Sequence, residues 1–328
     1  MSDESLVRHA RRLADDLLFP AAMEVDAADV VPRSHLDRLA ADGFYGLSGP
    51  RDSGGLGADR QTAARVTEVL AGGCLATTFV WLQHQGVVRR LADSGDAVRD
   101  RWLPTLCSGE LRAGVAVAGV RPGPEPLRAT PDGAGWVLDG TCPWVTGWGL
   151  IDVVEVAART EEGDVVWLLL DAAAGPTWTV ERQHLAAVDA SCTVTVAWSA
   201  HRVPSDRLTS RSTYQEWQDD DARGLRGNGS LALGVAGRCA ALLEDDALRR
   251  DVDVVRDTFD SATVWTMPAT RAEASALAWR AAGLLVLGHG SRSVLRAEHA
   301  QRLAREAMFL LVFGSRPAIR DALFERLG

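Results

Sequence analysis

Arg112-Ala-Gly-Val-Ala-Val-Ala-Gly-Val120 is the stretch where this sequence changes its period. Upstream, apolar residues recur every three or four positions. Within Val115–Val120 they alternate, as side chains do on a strand with one face buried. The strand reading runs to a stop at Pro122-Gly-Pro124. Beyond it, Trp136-Val-Leu-Asp-Gly140 follows a Pro131-Asp-Gly turn and reads as a hairpin arm. Similar runs are Ile151–Ala158, Val165–Leu170, Trp178–Val180 and Cys192–Trp198, and the section closes at Val203-Pro-Ser-Asp-Arg207. Short strands between turn signals predict a small antiparallel barrel or sandwich.

Both flanks are helical. On the N-terminal side, Leu6, Ala10, Leu13 and Leu17 share one helix face, with Arg11, Arg12, Asp15 and Asp16 on the other. A second helix is expected over Ser34–Asp42 with Ser34 as its N-cap. The glycine-rich run Gly46–Gly57 cannot be helix, and helices follow near Arg60–Ala71 and Ala76–Ser94. After about Thr209 the helical period returns. Gly227, Gly229, Gly234, Ala236 and Gly237 mark a long first helix that permits close approach by a neighbour. Later helices are expected over Asp245–Ser261, Arg271–Leu287, Ala297–Phe313 and from Pro317. The predicted fold is mostly α with a small β-barrel middle domain: residues 1–112 helical, 113–208 β, 209–328 a C-terminal helical bundle.

Composition removes several chemistries. The 328 residues carry 35 Lys+Arg against 44 Asp+Glu, and none of the 35 is lysine. Schiff-base lysines, a P-loop lysine and any amine base are therefore excluded. The net charge of −9 argues against nucleic acid as a partner. No run approaches the roughly 20 apolar residues that span a bilayer, and Met1–Arg12 lacks the apolar core of a signal peptide. The five cysteines are dispersed without a CxxC pair, which predicts reduced thiols in a cytoplasmic protein. The seven histidines show no metal-ligand spacing, so no metal is expected. His84, inside an apolar helix, reads as a satisfied core histidine. Asp219–Asp221 reads as a solvated helix start. Gly54-Gly55-Leu56-Gly57 reads as a turn, since a phosphate loop needs a preceding strand and a lysine.

The order helix, β, helix, together with local motifs, resembles the acyl-CoA dehydrogenase family. Gly46–Gly57 is similar to the loop that ends the family's second helix region, and Trp102–Glu110 to the segment entering its β domain. Val115–Val120 occupies the place of the first flavin-contacting strand. Cys142-Pro-Trp-Val-Thr-Gly147 resembles the flavin motif Trp-Ile-Thr-Asn, and Arg302–Ser315 the C-terminal stretch bearing Tyr-Glu-Gly-Thr. The resemblance implies FAD, with Val117, Ala118, Trp144, Thr146 and Ser315 as cofactor residues. It also implies an acyl-CoA or carrier-bound acyl thioester as substrate. In the family a glutamate removes the α-proton while flavin accepts the β-hydride.

This chain departs from that pattern at instructive places. Val312-Phe-Gly-Ser315 puts Phe313 where the glutamate belongs, and Phe cannot accept a proton. Ala118 lacks the hydroxyl expected there, while Arg121 offers a charge for substrate or phosphate. The motif for the adenine end of FAD has no counterpart. His289, between Gly288 and Gly290, is a candidate replacement base, with a helix-end role as its alternative. Two functional readings remain: a base-lacking subunit of a heteromeric dehydrogenase, or a self-sufficient FAD enzyme with a relocated base. A non-redox acyl-thioester or small-molecule binding protein on the same fold is a third. Apolar faces on the C-terminal helices predict a homo- or hetero-oligomer with another acyl-CoA dehydrogenase-like subunit.

Overall fold

The computed structural model describes residues 2–121 and 126–328; the expected stop at Pro122–Pro124 lies outside them. The chain starts with α1 (Asp3–Leu13), a π-helical turn (Ala14–Leu18) and α2 (Phe19–Ala27). Helix α3 (Arg33–Ala41) begins one residue before the expected cap: Pro32 occupies the cap position, because proline's missing N–H costs nothing there. The glycine-rich loop folds back on itself. Gly55 donates to the Pro50 carbonyl, and a Cβ at Gly55 would lie 2.1 Å from the Gly49 oxygen, so only glycine fits. Helices α4 (Arg60–Gly73), α5 (Leu75–Ala92) and α6 (Asp96–Ser108) complete the section.

Eight strands follow: β1 (Ala113–Ala116), β2 (Arg128–Asp132), β3 (Gly135–Val145), β4 (Val153–Arg159), β5 (Val165–Asp171), β6 (Trp178–Arg182), β7 (Val194–Pro204) and β8 (Leu208–Ser212). Their order is β6-β7-β3-β2-β4-β5-β8, with β1 parallel to β4. Two details depart from expectation. Val115–Val120 is strand only to Ala116, where its pairing with β4 ends, and Ala118–Val120 tightens into a 3-10 turn. The β section also runs past Arg207, because Leu208–Ser212 pairs antiparallel with β5.

Both faces of the central strands are covered. Val154, Val156 and Ala158 pack with Val166, Leu168 and Leu170 inside the β layer. The alternate residues face helices: Val153 and Leu169 meet Val87, Leu91 and Trp102, while Ala157 and Trp167 meet Trp217. Glu155 shares that face and is fully buried, accepting from Arg90 at 2.7 Å and Thr209 at 2.8 Å. Continuous burial on both faces is why β4 and β5 read as unbroken apolar runs.

The C-terminal section comprises α7 (Tyr214–Leu243), α8 (Asp246–Ser261), α9 (Met267–His289), α10 (His299–Val312) and α11 (Pro317–Leu327). Thr213 and Glu216 form a capping box at the start of α7. Gly234 lets α7 lie on α4: a Cβ there would stand 2.3 Å from the Glu68 carbonyl oxygen. No helix among the described residues is long and apolar enough to cross a membrane.

His84 ties α5 to the β layer. It is buried, with Nε2 3.0 Å from the Leu106 carbonyl and Nδ1 accepting from the Ala113 N–H at 3.0 Å. Burial, with the nearby Arg112 charge adding to it, lowers its pKa to about 3. The sign of the pH effect follows. As pH falls below about 6.5, the unfolded chain binds a proton here and the folded chain does not. Stability is therefore lost from about pH 6.5 down to about pH 3, at ~1.4 kcal/mol per pH unit. Urea unfolding at pH 6.5 and 5 is expected to show ~2 kcal/mol of this loss in the wild type and to lack it in His84→Gln.

Candidate active-site cleft

A cleft of about 1330 Å³ opens between α4, α5, α7, the β layer and the turn after α10. It exceeds the ~300–1,000 Å³ typical of small-molecule sites, leaving room for a dinucleotide-sized group and a second ligand. Val117, Ala118, Arg121, Trp144, Thr146, Phe313 and Ser315 all line it. His289 does not: it is exposed at the end of α9.

Trp144 owes its position to a bulge. Pro143 carries no N–H for the ladder, and the β3–β7 register shifts between Cys142 and Val145. Trp144 takes φ +65°, an uncommon conformation for a bulky residue, and its ring is 60% exposed. Most of the other tryptophans are buried, so the bulge holds this one out of the core and into the cleft. Two residues on, Thr146 is buried and joins a hydroxyl chain, 3.1 Å from Thr193, which lies 2.9 Å from Ser191. An exposed indole beside a short strand end, Val117 and Ala118 can hold one face of a planar aromatic group. The residues present fit the isoalloxazine of a flavin.

Phe313 sits in an aromatic group, edge-on to Phe79 (centroids 4.9 Å) and stacked on Phe309 (5.3 Å). Its backbone is held from behind. The buried Arg271 donates to the carbonyls of Leu310 (3.1 Å) and Phe313 (3.2 Å), capping the C-terminal end of α10. No carboxylate occupies this place.

Among the described residues, the acids that reach the cleft are Asp93, Asp220, Asp221 and Asp260. All three of Asp219–Asp221 lie near the start of α7, and Asp220 is exposed there, but the solvated reading fails for Asp221, which turns inward. There it accepts from Arg121 at 2.9 Å and bidentately from Arg316 at 2.6 and 2.5 Å. The pairing is spatial, linking positions about a hundred residues apart, and nothing local in the sequence signals it. Asp220 pairs with Arg223, and Asp260 with Arg226, which also meets the buried Glu68. Asp93 is exposed at the C-terminal end of α5.

The arrangement is an interdomain cleft with one aromatic wall, a hydroxyl row and arginine-locked acids, in a helix–β–helix fold. A profile of the acyl-CoA dehydrogenase N-terminal domain matches residues 2–110. (2S)-Methylsuccinyl-CoA dehydrogenase of Cereibacter sphaeroides is 29% identical over 157 residues, covering 46% of this chain and 29% of that protein. The 3-sulfinopropanoyl-CoA desulfinase of Cupriavidus necator is 26% identical over 174 residues, covering 50% and 43% respectively. Both alignments thus span less than half of the relative's own length. Butyryl-CoA dehydrogenase from Megasphaera elsdenii superposes with a TM-score of 0.86 over 98% of this chain and 96% of that one, at 16% identity. The FAD complex of PigA does so at 0.86 over 100% and 98%, also at 16% identity. The family match covers residues 2–110, and the likeness of fold to acyl-CoA dehydrogenase structures extends over nearly the whole chain.

Proposed function

We propose that this chain binds FAD and an acyl thioester in the cleft and works as the base-lacking subunit of a heteromeric acyl-thioester dehydrogenase. The observation that carries this reading is that, among the described residues, the cleft offers no free proton acceptor at Phe313. Among the described residues, three of its four carboxylates are engaged by arginine, and the fourth lies at the exposed end of α5. A carboxylate held by two guanidinium groups is a poor base, since protonation must break charge-assisted hydrogen bonds. Support for the thioester comes from the relatives, whose names specify CoA thioesters.

When bound, FAD supplies hydride acceptance, the difficult electron step. This chain's residues would hold and orient the ligands. Trp144 would cover one ring face, Thr146 would offer a hydroxyl at its edge, and the 3-10 turn at Ala118 would border the ring. Arg121 would supply charge at the same end, where its Nε lacks a partner among the described residues. A partner chain would supply the base. Large apolar side chains exposed on and between the C-terminal helices, including Trp265 (86%), Leu287 (78%) and Phe324 (72%), support such association.

The first test is a visible spectrum of the purified protein, alone and after adding FAD. Flavin absorption is expected, with FAD bound roughly three- to tenfold more weakly by Trp144→Ala. A colourless protein that takes up no FAD would remove the flavin part of the reading. Co-expression with a glutamate-bearing family member is then expected to yield a co-purifying pair with dehydrogenase activity. Absence of both would remove the partner.

A further inference from the structure

A second hollow, of about 370 Å³, lies among α1, α4, α7 and α8 and shares no lining residue with the cleft. Glycines make it. Gly72 and Gly234 bring the backbones of α4 and α7 together: a Cβ at Gly72 would stand 2.9 Å from the Gly234 carbonyl oxygen. Nearby on α7, Gly237 leaves a gap, with no neighbouring group within 4 Å of where its Cβ would be. Five arginines line the hollow: Arg65 from α4, Arg238 from α7, Arg249 and Arg256 from α8, and Arg11 at the exposed rim on α1. Among the described residues three acids line it, and all three are engaged. Asp15 accepts from Arg238 at 2.6 Å, Glu68 from Arg256 at 2.6 Å and Arg226 at 3.2 Å, and Asp253 from Arg256. Arg249 pairs with Asp246. Arg65 is half-buried and has no hydrogen bond or ion pair among the described residues. Burial, then the charge of Arg256, lower its pKa, yet a guanidinium group stays cationic at neutral pH.

We propose that this hollow binds a phosphate group, free or carried on a small ester, with Arg65, Arg238 and Arg256 as its donors. The site is separate from the cleft and does not depend on the flavin or thioester reading. Two of the three donors are already fixed in place. Arg256 uses Nε on Glu68 and Nη1 on Asp253, which leaves its Nη2 without a partner among the described residues. Arg238 uses Nε on the Gly72 carbonyl at 2.7 Å and Nη2 on Asp15, and its guanidinium lies over the Phe19 ring at 4.3 Å. Its Nη1 is likewise uncommitted among the described residues. Those bonds hold each planar head group, so little side-chain freedom is lost when the spare nitrogen meets an anion. Arg65 adds a charge that none of the hollow's acids pairs with. Donors arriving from three helices suit a tetrahedral phosphate, whose oxygens accept from several directions, better than a planar carboxylate. The volume falls in the ~300–1,000 Å³ range of small-molecule sites, and Val7 and Val69 give an organic substituent an apolar wall.

Isothermal titration of the purified full chain at low ionic strength with inorganic phosphate, phenyl phosphate and phenol tests this. Both phosphates are expected to bind, and phenol, which lacks the charge, is not. Tighter binding of phenyl phosphate would identify an ester as the ligand, and equal affinities would identify free phosphate. Arg65→Gln should weaken both roughly tenfold, the usual effect of losing a charge-assisted hydrogen bond. Gly237→Leu fills the gap and removes no charge, so it should abolish binding. Arg65 makes no hydrogen bond that the fold needs, and leucine favours a helix over glycine, so neither variant should unfold earlier than the wild type. Phosphate bound equally by the wild type and both variants would lie elsewhere on the protein and overturn the site. Phenol binding as tightly as phenyl phosphate would overturn it too, as would no binding of either phosphate at millimolar concentration.

Discussion

Phe313→Glu is expected to raise acyl-thioester oxidation by the FAD-loaded chain roughly 10²- to 10⁴-fold, the usual contribution of a placed general base. The backbone at this position should survive the change. The Phe313 carbonyl is held by Arg271, and Gly314 absorbs the turn at φ +61°. The side chain borders the cleft and is only half-buried. Losing the contacts with Phe79 and Phe309 costs about 0.5–1.5 kcal/mol per aromatic pair, which a folded domain tolerates. Single-turnover bleaching of the flavin by acyl-CoA would report the step directly, with Phe313→Gln as a control of similar size and no basicity. Wild-type bleaching as fast as that of Phe313→Glu would place the base elsewhere in this chain. No gain in a variant that still binds flavin and thioester would mean that Phe313 does not border the reacting carbon.

The second large effect concerns stability. Glu306→Ala is expected to destabilise the protein by roughly 3–5 kcal/mol, because it strands a buried charge. Arg302 is 1% exposed and donates to Glu306 at 2.5 Å. Its remaining neighbour, His299, lies 3.2 Å away as an acceptor and stays neutral. Burial, then the charges of Arg302 and Arg238, lower its pKa to about 4. His299 in turn stacks on Phe19 (4.2 Å), so the pair anchors α10 to the N-terminal helices. Replacing both partners by apolar residues, Arg302→Met with Glu306→Leu, should recover most of the loss, since no charge is then left buried. Chemical denaturation of the two single variants and the double variant measures this. A Glu306→Ala loss below about 1 kcal/mol would show that water reaches Arg302 after all.

Much of the fold was legible because it follows from local period. The short unbroken apolar run Val165–Leu170 and the helical spacing of Leu6, Ala10 and Leu13 are properties of consecutive residues, and both elements form as read. Ala118–Val120 departs from the expected strand because alternation continues there after the hydrogen-bonding partner has ended. The polar sequence of Leu208–Ser212 carries no β pattern, and only pairing with β5 makes it a strand.

The site divides the same way. The Trp144-Val-Thr146 order, the absence of lysine and the phenylalanine at position 313 are facts of sequence, and they bound the chemistry before any coordinates. Which acids are free is not such a fact. Asp221 belongs to a run of three acids indistinguishable on paper, yet it alone of the three lies between Arg121 and Arg316. Arg89 and Arg90 are adjacent and identical, but Arg90 meets Glu155 and Arg89 meets no acid among the described residues. Residue type sets what a group can do. Its neutralisation depends on distances between elements far apart in the chain, and only tertiary packing sets those.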